Sequence, residues 1–158
     1  VTLLDELRKA TRPAHDRLHE LSDTSTRQGY GRFLQAMHRG LAAMPRDVVP
    51  AATLRALRAD LAELELPTPT DQFQSLPAGL GCQYVVSGSQ VGAGMMLPHA
   101  REHDWPRRYL SDRHVRRWAD VKRALADQPA DDKVVQQAVD AFDVFVRSFE
   151  RSASDPLS

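Results

Sequence analysis

The stretch TLLDELRKATRPAHDRLHEL, residues 2–21, sets the architecture. Its apolar residues Leu3, Leu7, Ala10, Ala14, Leu18 and Leu21 recur at three- and four-residue steps, the period of an amphipathic helix. Thr2 is a helix-capping residue, and Asp5 brings a negative charge to the first turn, where exposed amides attract it. Pro13 lacks an amide hydrogen and predicts a kink or a split near Arg12. The run from Ser22 to Thr26 is rich in turn-forming residues.

The same period extends along the chain. Tyr30, Phe33, Leu34, Met37, Leu41 and Met44 predict a second helix that stops near Pro45. Leu54, Leu57, Leu61 and Leu64 predict a third, closed by Pro67 and Pro69. Ser111 or Asp112 is expected to cap a helix reaching about Ala126. Asp131 or Asp132 is expected to cap a last one carrying Val135, Val139, Phe142, Val146 and Phe149. Only Gln83–Val86 resembles a strand, and no Asn-Gly or Asp-Gly hairpin signal occurs. These patterns predict an all-α single domain of six to seven helices over residues 1–151, with a frayed polar tail at 152–158.

Composition narrows the function classes. The 158 residues carry 21 Lys+Arg against 21 Asp+Glu, so the chain lacks the basic excess of a non-specific nucleic-acid binder. No apolar run reaches the roughly 18 residues needed to span a bilayer. No basic stretch followed by an apolar one marks a secretory signal, and a cytoplasmic protein is expected. Cys82 is the single cysteine, which excludes an intrachain disulfide and a CxxC metal site.

Two features depart from a plain helical bundle. Gly79, Gly81, Gly88, Gly92 and Gly94 crowd one segment, although each costs about 1 kcal/mol relative to alanine inside a helix. Gly88 and Gly92 share a helix face, and Gly81 lies on nearly the same one. Two explanations stand side by side: close contact with another helix or a loop, or a large flat ligand lying on bare backbone. His15 sits at the margin of the first helix's apolar stripe, near Thr11 and Leu18, with Arg8 two turns earlier. That spacing of roughly 10 Å suits a haem, whose iron takes an imidazole and whose propionates take a guanidinium.

Three segments in order resemble the haem oxygenase family, particularly its bacterial biliverdin-producing branch. Leu7 to Leu18 is similar to the family's proximal helix, Tyr30-Gly31-Arg32-Phe33-Leu34 to its Tyr-x-x-Phe-Leu, and Gly81 to Gly92 to its distal pattern Gly-x-x-Tyr-Val-x-x-Gly-Ser-x-x-Gly. The resemblance covers nearly the whole chain and implies a haem oxygenase-like bundle. His15 would ligate the iron, and Arg8, Thr11, Tyr84 and Arg116 or Arg117 would contact haem. Gly88, Ser89 and Gly92 would form the distal face. The implied reaction is O2-dependent cleavage of haem to biliverdin, CO and iron. The implied electron donor is an external reductase, ferredoxin or flavodoxin, since nothing resembles a flavin or nicotinamide site. No nucleic-acid or membrane partner is implied. The chain departs from the family in carrying His19 where an acidic residue commonly orients the proximal imidazole, Ser87 for a common Glu, and Ala93 within the usual Gly-Gly pair. These departures leave a haem carrier or sensor without ring opening as the alternative, and a plain helical interaction module as a third reading.

Two further clusters stand out. His99-Ala100-Arg101-Glu102-His103 spells the HxxEH of inverted zinc peptidases, but without a strand–helix context it reads as a solvated helix end rather than a catalytic zinc site. Arg107, Arg108, Arg113, Arg116, Arg117, Lys122 and Arg123 read as a solvated face, or as a surface for propionates or an acidic redox partner. Cys82 reads as a small helix residue, and Trp105 and Trp118 as packing anchors.

Overall fold

A computed structural model describes residues 1–155. Among them the chain is all-helical, with no β-strand. The helices are α1 (Leu3–Leu21), α2 (Arg27–Ala42), α3 (Ala51–Glu63), α4 (Leu80–Gly94), α5 (Leu97–Glu102), α6 (Trp118–Ala126) and α7 (Asp132–Ser154). Helix α7 is the spine: α1, α2 and α4 pack against it, α3 backs α2, and α6 fills the space beside α1 and α4. The buried Ala138, Ala141, Val144, Phe145 and Phe149 of α7 form the centre of the core. None of the helices among the described residues is long and apolar enough to cross a membrane.

Local chemistry explains most boundaries. Thr2 and Asp5 form a reciprocal capping box: the Thr2 hydroxyl accepts from the Asp5 amide at 3.2 Å, and the Asp5 carboxylate accepts from the Thr2 amide at 3.3 Å. The Asp131 carboxylate caps α7 by accepting from the Lys133 amide at 3.0 Å. Of the kink or split expected at Pro13, the split does not occur: helix α1 runs unbroken through it. Pro13 and Lys9 are both exposed, so the carbonyl that loses its partner sits on the solvent side. The strand-like Gln83–Val86 is helical, within α4.

Two other expectations are corrected. Helix α6 begins at Trp118, not near Ser111. Asp112 is instead buried, accepting from the Thr53 hydroxyl at 2.8 Å and lying 2.6 Å from Nδ1 of His114. Residues 103–117 are therefore an irregular segment anchored by carboxylates rather than a helix. The expected frayed tail is docked over Ser152–Asp155: α7 continues to Ser154, and the buried Arg39 donates to Ser152 Oγ and to the Asp155 carboxylate. The remainder of that tail, residues 156–158, lies outside the described residues.

Candidate functional site

A cleft of about 420 Å³ opens between the C-terminal half of α1 and the middle of α4. That size falls within the roughly 300–1,000 Å³ of small-molecule and cofactor sites. Leu18 and His15 of α1 line the cleft, together with Tyr84, Val85, Gly88, Ser89, Gly92 and Ala93 of α4. The floor is aromatic and apolar: Phe33 and Met37 come from α2, and Phe142, Phe145 and Phe149 from α7. Trp118 closes one side with its ring edge-on to Tyr84, centroids 5.5 Å apart at 73°. Such a lining favours a largely apolar ligand with a few polar handles.

The glycines of α4 divide by role. A Cβ on Gly81 would sit within 3 Å of backbone atoms of Val134 and Ala138, so this glycine permits α4 to touch α7. A Cβ on Gly88 would meet only the Trp118 ring, at 4.0 Å, and one on Gly92 would meet nothing within 4 Å. The expectation of one shared glycine face thus separates into a packing end at Gly81 and an open end at Gly88 and Gly92. Protein packing explains the first and leaves the second unexplained. Ser89 also faces the cleft, with its hydroxyl donating to the Val86 carbonyl at 2.6 Å.

His15 stands at the cleft's rim with 60% of its side chain exposed. Its nearest carboxylate oxygen is on Asp16, 3.9 Å from Nδ1, beyond hydrogen-bond reach. His19 also lines the cleft, its ring 4.9 Å from that of His15 and edge-on to it. Two imidazoles one turn apart therefore face the same space.

Four residues expected at the site do not line the cleft. The Thr11 side chain is buried, and its hydroxyl donates to the Leu7 carbonyl at 2.7 Å, so it is committed to its own helix. Arg8 lies on the exposed surface of α1, at the level where that helix is packed through Leu7 rather than parted from its neighbours. Arg116 donates to Gln83 Oε1 at 2.7 Å, and Arg117 is an exposed residue that precedes α6 and does not line the cleft. His15, Tyr84, Gly88, Ser89 and Gly92 are the expected residues that the fold brings together.

Arg32 is a residue the spacing did not single out. A smaller pocket of about 220 Å³ adjoins the cleft, sharing Ser22, Phe33 and Phe149 with it, and Arg32 lines this pocket. Its Nε is buried with no hydrogen-bond partner, and no carboxylate among the described residues pairs with its guanidinium. A partly buried guanidinium with no paired carboxylate can meet an anionic guest with charge-assisted hydrogen bonds, its buried Nε–H among the donors. Within the sequence Arg32 was visible only as an unremarkable member of Tyr30-Gly31-Arg32-Phe33-Leu34.

Comparison of the chain with models of known protein families, and with curated protein sequences, gives no match.

Proposed function

We propose that this chain binds haem in the cleft lined by α1 and α4, where His15 would supply a nitrogen to the iron, and acts as a haem oxygenase. The observation that carries the reading is the open glycine end of α4: Gly88 and Gly92 line the same apolar cleft as His15, and no close protein contact accounts for their missing side chains. A planar macrocycle is the kind of ligand that needs bare backbone on one side and an imidazole on the other. The lining fits the group in three respects. Phe33, Phe142, Phe145 and Phe149 would bury the ring's apolar area, His15 would supply a nitrogen to iron, and Arg32 would meet a propionate in the adjoining pocket.

When bound, haem supplies iron that activates O2, leading to ring opening to biliverdin, CO and iron with electrons from an external reductase, ferredoxin or flavodoxin. The chain's part is to hold the ring's orientation, to keep bulk water from the distal face with α4, and to leave room there through Gly88 and Gly92. Ser89 contributes a hydroxyl at that face.

A second reading, a haem carrier or sensor on the same bundle, is favoured by one feature. The His15 imidazole has no carboxylate within hydrogen-bond reach, and His19 occupies the neighbouring turn. Groups hydrogen-bonded to an axial ligand tune its basicity, so an unheld imidazole suits binding better than turnover.

Titration of the purified chain with hemin separates these readings. The expected result is a 1:1 complex with a shifted Soret band whose ferric spectrum changes in His15→Ala. Absence of a Soret shift would leave a helical interaction module. Ascorbate or a ferredoxin system with O2 then distinguishes the two haem readings: Soret decay to a biliverdin spectrum supports the oxygenase, and a persistent ferrous–O2 spectrum supports the carrier.

A further inference from the structure

We propose that His99, Glu102 and His103 form a binding site for one divalent transition-metal ion, Zn²⁺ by the character of the donors. His99 and Glu102 lie in α5 and His103 is the residue that ends it; the positions i, i+3 and i+4 of a helical turn fall on one face. One potential donor atom from each lies within 4.8 Å of the others. The two imidazole centroids are 4.2 Å apart. None of the three residues lines the haem cleft, so the site is separate from it.

The surroundings distinguish this cluster from an ordinary solvated helix end. Nδ1 of His103 lies 2.9 Å from the His99 carbonyl, and Nε2 of His99 lies 3.4 Å from the Ser25 carbonyl. A carbonyl only accepts, so in a neutral imidazole each contact holds the proton on that nitrogen and leaves the other nitrogen's lone pair free for a metal. Imidazoles that ligate metals are commonly held in this way. The rings also rest on a fixed aromatic floor. Trp105 is buried and stacked on Tyr30 at 5.0 Å, and it lies 4.9 Å from the His103 ring and 5.0 Å from that of His99. The Glu102 carboxylate makes no ion pair among the described residues. Two imidazoles and one carboxylate make a donor set suited to Zn²⁺, with a fourth, tetrahedral position left for water. An ion here would also fix α5 to the turn after α1, through the His99–Ser25 contact.

Calorimetric titration of the full, untagged, chelator-treated chain with ZnCl₂ tests this. The expected result is one equivalent bound, with affinity reduced about tenfold or more in His103→Ala and in Glu102→Gln, and unchanged in the His15→Ala/His19→Ala double variant. His103 and Glu102 are exposed, so both variants should keep wild-type circular dichroism. A second readout uses a Trp118→Phe background, which leaves Trp105 as the only tryptophan. Cu²⁺ should quench its fluorescence, and His103→Ala should abolish the quenching. The proposal is overturned if no Zn²⁺ binds, if His103→Ala binds as the parent does, or if loss of binding follows His15 and His19 instead. Hemin binding enters none of these outcomes, so the metal site stands or falls apart from the haem reading.

Discussion

At the scale of single residues, the glycines of α4 give opposite expectations for the same substitution. Alanine at Gly92 places its methyl in open space and removes the helix penalty of glycine, so Gly92→Ala should raise stability by about 0.5–1 kcal/mol. Alanine at Gly81 drives its methyl into the backbone of α7 and should cost about 1–3 kcal/mol. Denaturant midpoints of the two variants check the contrast; equal signs would remove the distinction between a packing end and an open end. Gly88→Leu tests the same division through the ligand. It should keep the helical content and, on the haem proposal, lose hemin affinity; unchanged affinity would exclude α4 from the proposed site.

At the scale of elements, the irregular segment between α5 and α6 depends on two buried carboxylates. Asp60 of α3 is fully buried and accepts from the Tyr109 amide at 2.9 Å, the Arg108 amide at 3.2 Å and the Arg108 guanidinium at 3.1 Å. Asp112 plays the corresponding part for Thr53 and His114. Without these acceptors, backbone amides would be buried unpaired. Asp60→Ala should therefore destabilise the protein by about 3 kcal/mol, and amide exchange should accelerate first in residues 105–112. Uniform acceleration throughout the bundle would mean that the segment is held by something else. The same logic explains the docked end of α7. Arg39 joins Asp71 of the α3–α4 linker, at 2.9 Å, to Asp155, so a polar terminus expected to fray is tied to α2.

At the scale of the whole molecule, one buried group links stability to acidity. His38 on α2 is 7% exposed, and neither ring nitrogen has a hydrogen-bond partner. Burial, followed by the positive charges of Arg58, Arg46 and Arg39, pushes its imidazole down from 6.5 to about 4. Between those values the unfolded chain binds the proton and the folded one does not. The stabilisation is thus complete above pH 6.5 and is lost progressively as pH falls toward 4. The loss should reach the order of 2 kcal/mol. His38→Gln should flatten this part of the stability profile, measured as denaturant midpoints from pH 7 to pH 4. A profile identical to that of the parent would show that other groups control acid sensitivity.

The chain's own periodicity determined the helical class, the single bundle and most helix positions, because burying one apolar stripe per helix leaves a 3.6-residue signature that needs no neighbour to be read. Capping at Thr2 and Asp131 was legible for the same reason, since these bonds close within three residues. His15 and the glycine cluster were also visible in the residues, though not which glycines were free. Tertiary structure alone decided that Gly81 meets α7 while Gly88 and Gly92 face open space, that Arg8, Thr11, Arg116 and Arg117 stand away from the cleft, and that Arg32 lines the pocket beside it. It also placed Asp60 as the anchor of Arg108 and Tyr109, and turned Asp112, expected to cap a helix, into a buried anchor for Thr53 and His114. The physical reason is common to these cases: whether a side chain meets a neighbour, a gap or water depends on how helices distant in sequence cross, and no local spacing encodes that angle.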